Sequence, residues 1–383
     1  MSDSSRVQLA GIEEVTWGTT PASALQAIRY TSENLGARKE TQRSEEVRSD
    51  RQTTDIVEVG KSADGGFDFE ASAGAHDIYL EGMMNEDFST DSAFSAATVD
   101  AAVGDNSFND SGSGFPTVVA GQWIRVAGFS TNPTNNGWFE VVSFAAGKIV
   151  VTGGTLITEA VGDTITITDS TLANGTTKKS FTLEKFFSDI TQYYAVPGSR
   201  VDTLSLSVQS RQKVTGSFAF MGKGGSIAAT TAGSGAYGAA TTAPVLNASA
   251  NVARILEGGA VLGAGVYVQQ LDIEFANNLR GVDGVGSVDS VEIGVGRFNV
   301  TGSMSVLFEN EVMFNKYLNH TASAINVAIE DVNGAGYMIS LPNVYYTNGD
   351  VTGVGNDDEI TADLEFEAIM HATQGIMARI DRA

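Results

Sequence analysis

The chain has 383 residues and no cysteine, with 46 acidic against 23 basic side chains, giving a formal net charge of -23 and a sequence pI near 4.4. That length holds roughly two to three domains of about 150 residues, and the lack of cysteine excludes disulfides and thiolate metal sites. An excess of negative charge repels a nucleic-acid duplex, whose binders depend on Lys and Arg to neutralise phosphates, so ordinary DNA binding is not expected.

The opening residues, Met1 to Arg6, contain no apolar leader core. The longest weakly polar run, 258–268, is too short and glycine-rich to span a bilayer, so the expectation is a soluble, unexported chain. A β-rich module starts near Val7, with a strand reaching towards Tyr30, and pauses in a mixed-charge segment from Arg38 to Asp55 whose one aliphatic residue is Val47. Such a segment cannot bury a core face. It is either a solvated loop or one folded against a partner with its charges paired.

Gly60 and Gly66 then lead into Phe67, Phe69 and Glu70, an alternation that predicts a half-buried strand, followed by a helix over 75–88. The same pattern returns at Gly296 and Gly302, leading into Met304, Val306 and Phe308 and a helix over 310–320. Asn34-Leu35 echoes Asn278-Leu279, and residues 214–220 match 360–366 at alternate apolar positions. Two copies of one module are expected: residues 1–90 with 180–222, and residues 252–383.

Between the parts of the first copy, residues 91–179 change character. Short strands at Trp123–Val126, Trp138–Val142, Lys148–Val151 and Thr164–Ile167 are separated by turn residues, predicting a small inserted β-domain on the outer surface. Residues 223–251 are mostly Gly, Ala, Ser and Thr and read as a linker. In the second copy, Asp331-Val332-Asn333-Gly334 and Asn348-Gly349 carry hairpin signals. The fold class expected is mainly β, with sandwich or barrel modules that each carry one short helix.

Catalytic constellations are scarce. The three histidines, His76, His320 and His371, are far apart, and His320 suits the negative end of the second predicted helix. Asp105 to Asp110 alternates oxygen ligands like a calcium loop but meets Pro116 at its twelfth position, where such loops place a bidentate Glu. Asp357-Asp358-Glu359 reads as a solvated acidic turn, Gly222-Lys223-Gly224-Gly225-Ser226 is too short for a phosphate loop, and no G-x-G-x-x-G occurs. No enzyme activity, cofactor or metal is expected. A β-sheet must still manage its edges, and two related modules per chain can do so by continuing the sheet around a ring, three chains imitating sixfold symmetry.

Several runs carry a family resemblance: Trp17-Gly18-Thr19-Thr20-Pro21, Thr31-Ser32-Glu33, Ser44-Glu45-Glu46-Val47-Arg48-Ser49-Asp50-Arg51-Gln52, Asn277-Asn278-Leu279-Arg280, Leu341-Pro342-Asn343-Val344 and Ile380-Asp381-Arg382. Over most of 1–95 and 180–383 the chain resembles the major tail tube proteins of long-tailed, non-contractile bacteriophages. The resemblance implies a virion protein, assembled in the host cytoplasm, whose rings stack into a tail channel for the genome. It implies as partners the chain itself, in ring neighbours and stacked rings, with tape measure, tail terminator and distal tail proteins along the tail, DNA only in transit through the lumen, and no membrane. It also implies a long loop reaching the next ring, with Arg38, Glu40, Arg43, Glu45, Glu46, Arg48, Asp50, Arg51 and Asp55 as inter-ring contacts. Runner-up readings are the tube of a contractile tail or secretion apparatus, and a surface adhesin using Trp123 and Trp138 as a sugar platform.

Overall fold

The computed structural model describes residues 3–262, 267–353, 355 and 359–383. Alternating apolar residues build one antiparallel sheet that crosses from the first half of the chain to the second. In the first half the main elements are β1 (Val7–Glu13), β2 (Gly36–Arg43), β3 (Ile56–Glu70), α1 (Asp77–Met84), β4 (Phe181–Phe187), β5 (Gln192–Gln209) and β6 (Thr215–Gly222). The second half supplies β7 (Val268–Ala276), β8 (Asn299–Leu307), α2 (Val312–Leu318), β9 (Ser323–Glu330), β10 (Gly336–Thr352), β11 (Thr361–Ala368) and β12 (Arg379–Arg382).

The order across the sheet is β2-β3-β6-β5-β7-β8-β11-β10. The long strands β5 and β10 each bend out of it, and their first portions pair with β4 and β9 to make a second layer. The apolar residues on the inner side of these layers, including Phe67, Phe218, Leu204, Phe275, Met304 and Phe366, form one core continuous through both halves. Burying such faces is the main favourable term in a sheet protein.

The halves superpose in pattern, with a correction to the glycine frame. Gly302 faces Phe366, and a Cβ there would lie 2.3 Å from the Asp272 carbonyl oxygen. Its counterpart is Gly65, which faces Phe220 and whose Cβ would lie 2.4 Å from the Asn34 carbonyl oxygen. Gly66 is one residue further on, so the six-residue glycine spacing is not the repeat's true frame. The structural match instead pairs Phe67 with Met304, and Asn34 with Asp272 rather than with Asn278. A β-bulge recurs at Val201/Thr203 in β5 and at Tyr346/Asn348 in β10. Asn348-Gly349 therefore belongs to that bulged strand and is not a hairpin turn, whereas residues 331–334 do turn, with Gly334 at φ +85.

Both helices are shorter than expected. The first stops where Asn85 turns left-handed at φ 53, and the Phe88 N–H is held by the Glu81 carboxylate instead of continuing the helix. The second starts after Asn310, whose side chain accepts the Val312 N–H, and ends before His320 at φ 49.

Residues 94–168 form a separate seven-stranded sheet with its own core around Phe108, Ile124 and Phe139. They occupy the connection between α1 and β4, which in the second half is the short stretch 319–322 between α2 and β9. Residues 223–251 run along the first half. Glu184, fully buried, accepts hydrogen bonds from Thr231, the Ala232 N–H and Tyr237, and Leu246 is buried.

Candidate assembly surface

The sheet's second face is concave and open. Because side chains alternate along each strand, the apolar set lies inward and this face receives Ser205, Ser207, Thr215, Ser217, Thr301 and Ser303. The charged residues lining its central hollow are Asp68, Asp272, Glu274, Glu365 and Glu367, with no Lys or Arg among them; towards the hairpin edge the face also carries Arg38, paired with Asp64. β11 shows the cause most plainly: Ala362, Leu364, Phe366 and Ala368 are buried while Asp363, Glu365 and Glu367 are exposed. The hydroxyls partly fix the acids, Ser207 donating to Asp272 at 2.6 Å and Ser305 to Asp363 at 2.5 Å.

The mixed-charge segment is largely a β-hairpin. β2 pairs with β3 from Gly36 opposite Asp64 to Arg43 opposite Ile56, and residues 44–55 form the tip. At about 3.3 Å per residue, the eight steps from buried Leu35 to Arg43 carry the tip about 25 Å away. Val47, Ile56, Val57 and Val59 are all exposed on it. Some of its charges already pair within the hairpin: Arg38 with Asp64 at 2.7 Å, Lys39 with Glu58 at 2.6 Å and Arg48 with Asp50 at 2.7 Å. Glu46 accepts from Thr54, and the Asp55 carboxylate from the Ile56 N–H. Glu40, Arg43, Glu45 and Arg51 make no ion pair among the described residues.

The inserted sheet docks on the second half through the two tryptophans. Trp123 and Trp138 are each 1 % exposed and cluster with Leu256, Ala328 and Met338, so they offer no sugar platform. Glu330 binds both Trp138 Nε1, at 3.0 Å, and Arg125, at 2.7 Å. The Trp123 N–H donates to Asp381, which is fully buried; burial pushes that carboxyl up to about 7, with Arg379 beside it pulling back.

The chemical candidates resolve into structural roles. Buried His76 contacts Phe69 at 4.4 Å between ring centres and hydrogen-bonds the Arg29 carbonyl, and burial pushes it down to about 4. His320 stacks on Tyr345. Lys148 pairs with Asp105, and Lys223 lies over the Trp17 ring. Asp357 and Asp358 lie outside the described residues. Among the described residues no group of three or more His, Asp or Glu is placed to hold a metal, and no helix is long and apolar enough to cross a membrane.

The Trp17-Gly18-Thr19-Thr20 signature has a different job. Trp17 Nε1 donates to the Gly198 carbonyl, and buried Glu14 collects the N–H groups of Gly18 and Gly198 and the hydroxyls of Ser180 and Thr182, at 2.7–2.8 Å. Nothing in the sequence pattern singled out Glu14, because a buried carboxylate is recognisable only once its donors are assembled.

A sheet continuous over both halves, an open polar face and a projecting hairpin define a β-rich structural protein. The family model for phage tail tube proteins matches residues 4–368, and the chain belongs to that family. It is a component of the virion tail, and its family's tubes are built by self-assembly. No curated protein matches the chain.

Proposed function

We propose that three copies form a ring with six equivalent modules, that rings stack into the tube of a long, non-contractile tail, and that the genome passes through it. The observation that carries this reading is the seam between β5 and β7, where seven consecutive residue pairs from Thr203–Ala276 to Gln209–Gln270 join the two halves into one sheet. A module that joins its sequence neighbour this way can join the next chain by the same means, and full closure leaves no free edge. Residues 1–90 with 180–222 and residues 252–383 are then the two ring modules, with 223–251 a strap along the first and 91–179 an outward decoration.

The concave face becomes the lumen wall. Its Asp and Glu side chains repel DNA phosphates over about 8–10 Å at physiological salt, so a duplex can slide without adhering. The hairpin tip reaches the adjacent ring, where Glu40, Arg43, Glu45, Glu46, Arg51 and Asp55 meet a neighbour's charges; each exposed pair is weak, but the set repeats around the ring. Opening of Arg48–Asp50 supplies one further pair.

End-on image averaging of negatively stained, concentrated protein tests the reading. Hollow rings of three chains are the expected result; persistent compact monomers would refute it, and six chains per ring would refute the module count. Deleting residues 43–51 should leave the chain folded while abolishing stacking, and tubes of normal length from that deletion would refute the role given to the tip.

A further inference from the structure

The seam inside the chain defines a second seam whose two edges are both exposed, and this inference rests on the ring reading above. The phase of the internal seam is fixed by two bonds at its ends: the Ser210 N–H donates to the Gln269 carbonyl, and the Asn277 N–H to the Asp202 carbonyl. Alternation in an antiparallel pair then makes Leu204/Phe275 and Leu206/Ile273 the pairs that exchange backbone bonds. Superposing the halves by their shared registers places Leu35 and Ala37 where Ile273 and Phe275 stand, and Gly349 and Val351 where Leu204 and Leu206 stand. Among the described residues neither of these two edges is paired with another strand.

Both edges are instead closed by side chains, at the very groups the internal seam uses. The Leu35 N–H donates to Glu33 Oε2 at 3.0 Å, the Leu35 carbonyl accepts from Lys185 Nζ at 2.7 Å, and the Ala37 N–H donates to the Tyr194 hydroxyl at 2.5 Å. Lys185 also pairs with Glu33 at 2.9 Å and lies over the Tyr194 ring. On the opposite edge, the Gly349 N–H is held by Asn348 Oδ1 and the Val351 N–H by Asp350 Oδ1. The second half has no such cap: Leu271 stands in place of Glu33, and the facing pair Val327–Ile339 in place of Lys185–Tyr194, all buried. The polar trio therefore occurs only where the seam is open within one chain.

We propose that Glu33, Lys185 and Tyr194 form a removable cap, and that strand 348–352 of a second copy displaces it in the register Gly349–Ala37 and Val351–Leu35. An unpaired edge invites association, and charged side chains over it are a known restraint. The cap holds free chains apart until a correctly registered edge offers backbone partners for all the capped groups at once. In the resulting seam Arg38 faces Asn348 and lies diagonal to Asp350, giving it a carboxylate across the junction.

The absence of cysteine allows a direct test on the full chain. Arg38→Cys with Asn348→Cys should cross-link neighbouring chains in assembled tubes under mild oxidation, while Arg38→Cys with Thr352→Cys, four residues out of register, should not. Tubes that form without the first cross-link, or that give both equally, would overturn the register while leaving the ring reading standing; a wild-type chain that never forms rings would overturn the ring reading itself. For the cap, Tyr194→Phe and Lys185→Met should each lower the protein concentration at which tubes appear, by about threefold to tenfold, the worth of one hydrogen bond. An unchanged or raised threshold in both variants, with unaltered circular dichroism, would overturn the cap.

Discussion

Changing Asp381 to Asn should remove a specific pH dependence from the stability of the chain. Asp381 is completely buried on β12, accepts the Trp123 N–H of the inserted domain at 3.0 Å, and has its carboxyl pushed up to about 7 by burial against the opposing pull of Arg379. The unfolded chain releases this proton near the ordinary value of 3.8, so between about pH 4 and pH 7 the folded state holds the proton and the unfolded state does not. A folded-state value raised in this way means stability that is complete below the unfolded value and is lost as pH rises through the folded one. At about 1.4 kcal/mol per pH unit over some three units, the loss is about 4 kcal/mol. Asn keeps the shape and cannot titrate. Urea unfolding of both proteins from pH 4 to 8.5 should show the wild type losing about 4 kcal/mol relative to Asp381→Asn, with the difference flat above pH 7.5. Buried His76 titrates alike in both and cancels. A difference that stays level within about 1 kcal/mol, or rises with pH, would refute the reasoning.

Glu14→Ala strands three buried donors and the half-buried Gly18 N–H at the Trp17-Gly18 turn and should destabilise the chain by about 3–5 kcal/mol in urea unfolding; a loss below about 1 kcal/mol would mean that the donors find other partners. Gly302→Ala must push a strand backbone aside, since the new methyl would sit 2.3 Å from both the Asp272 carbonyl and the Phe366 ring, and should cost about 2–4 kcal/mol. Gly104→Ala, where a Cβ meets nothing within 4 Å, should stay within about 0.5 kcal/mol in the same assay.

The strands were legible wherever one face is dry. The alternation in 361–368 and the runs at Trp123, Trp138 and Lys148 announced themselves because burial on one side imposes a period of two. The hairpin at 36–70 was half hidden for the opposite reason: its outer portion buries neither face, so nothing in its side chains alternates, and only backbone pairing reveals it as β. The repeat was visible in its apolar residues but misframed in its glycines. What makes Gly65 and Gly302 equivalent is the approach of a neighbouring carbonyl, a contact between segments far apart in sequence. The same limit concealed the seam between β5 and β7, the docking of the tryptophans on the second half, and the cap at Leu35, each of which joins residues that no local pattern connects.

The seam between β5 and β7 also bears on how fast a ring can form. A contact between halves of one chain has an effective concentration set by the tether between them, in the millimolar range for short flexible linkers, and does not weaken on dilution. In the proposed ring, every second junction is therefore made as the chain folds, and only the alternate ones wait for a collision. Gene duplication in this reading halves the number of junctions made between chains and makes nucleation depend on the third power of subunit concentration at most, where a single-module ancestor would face the sixth.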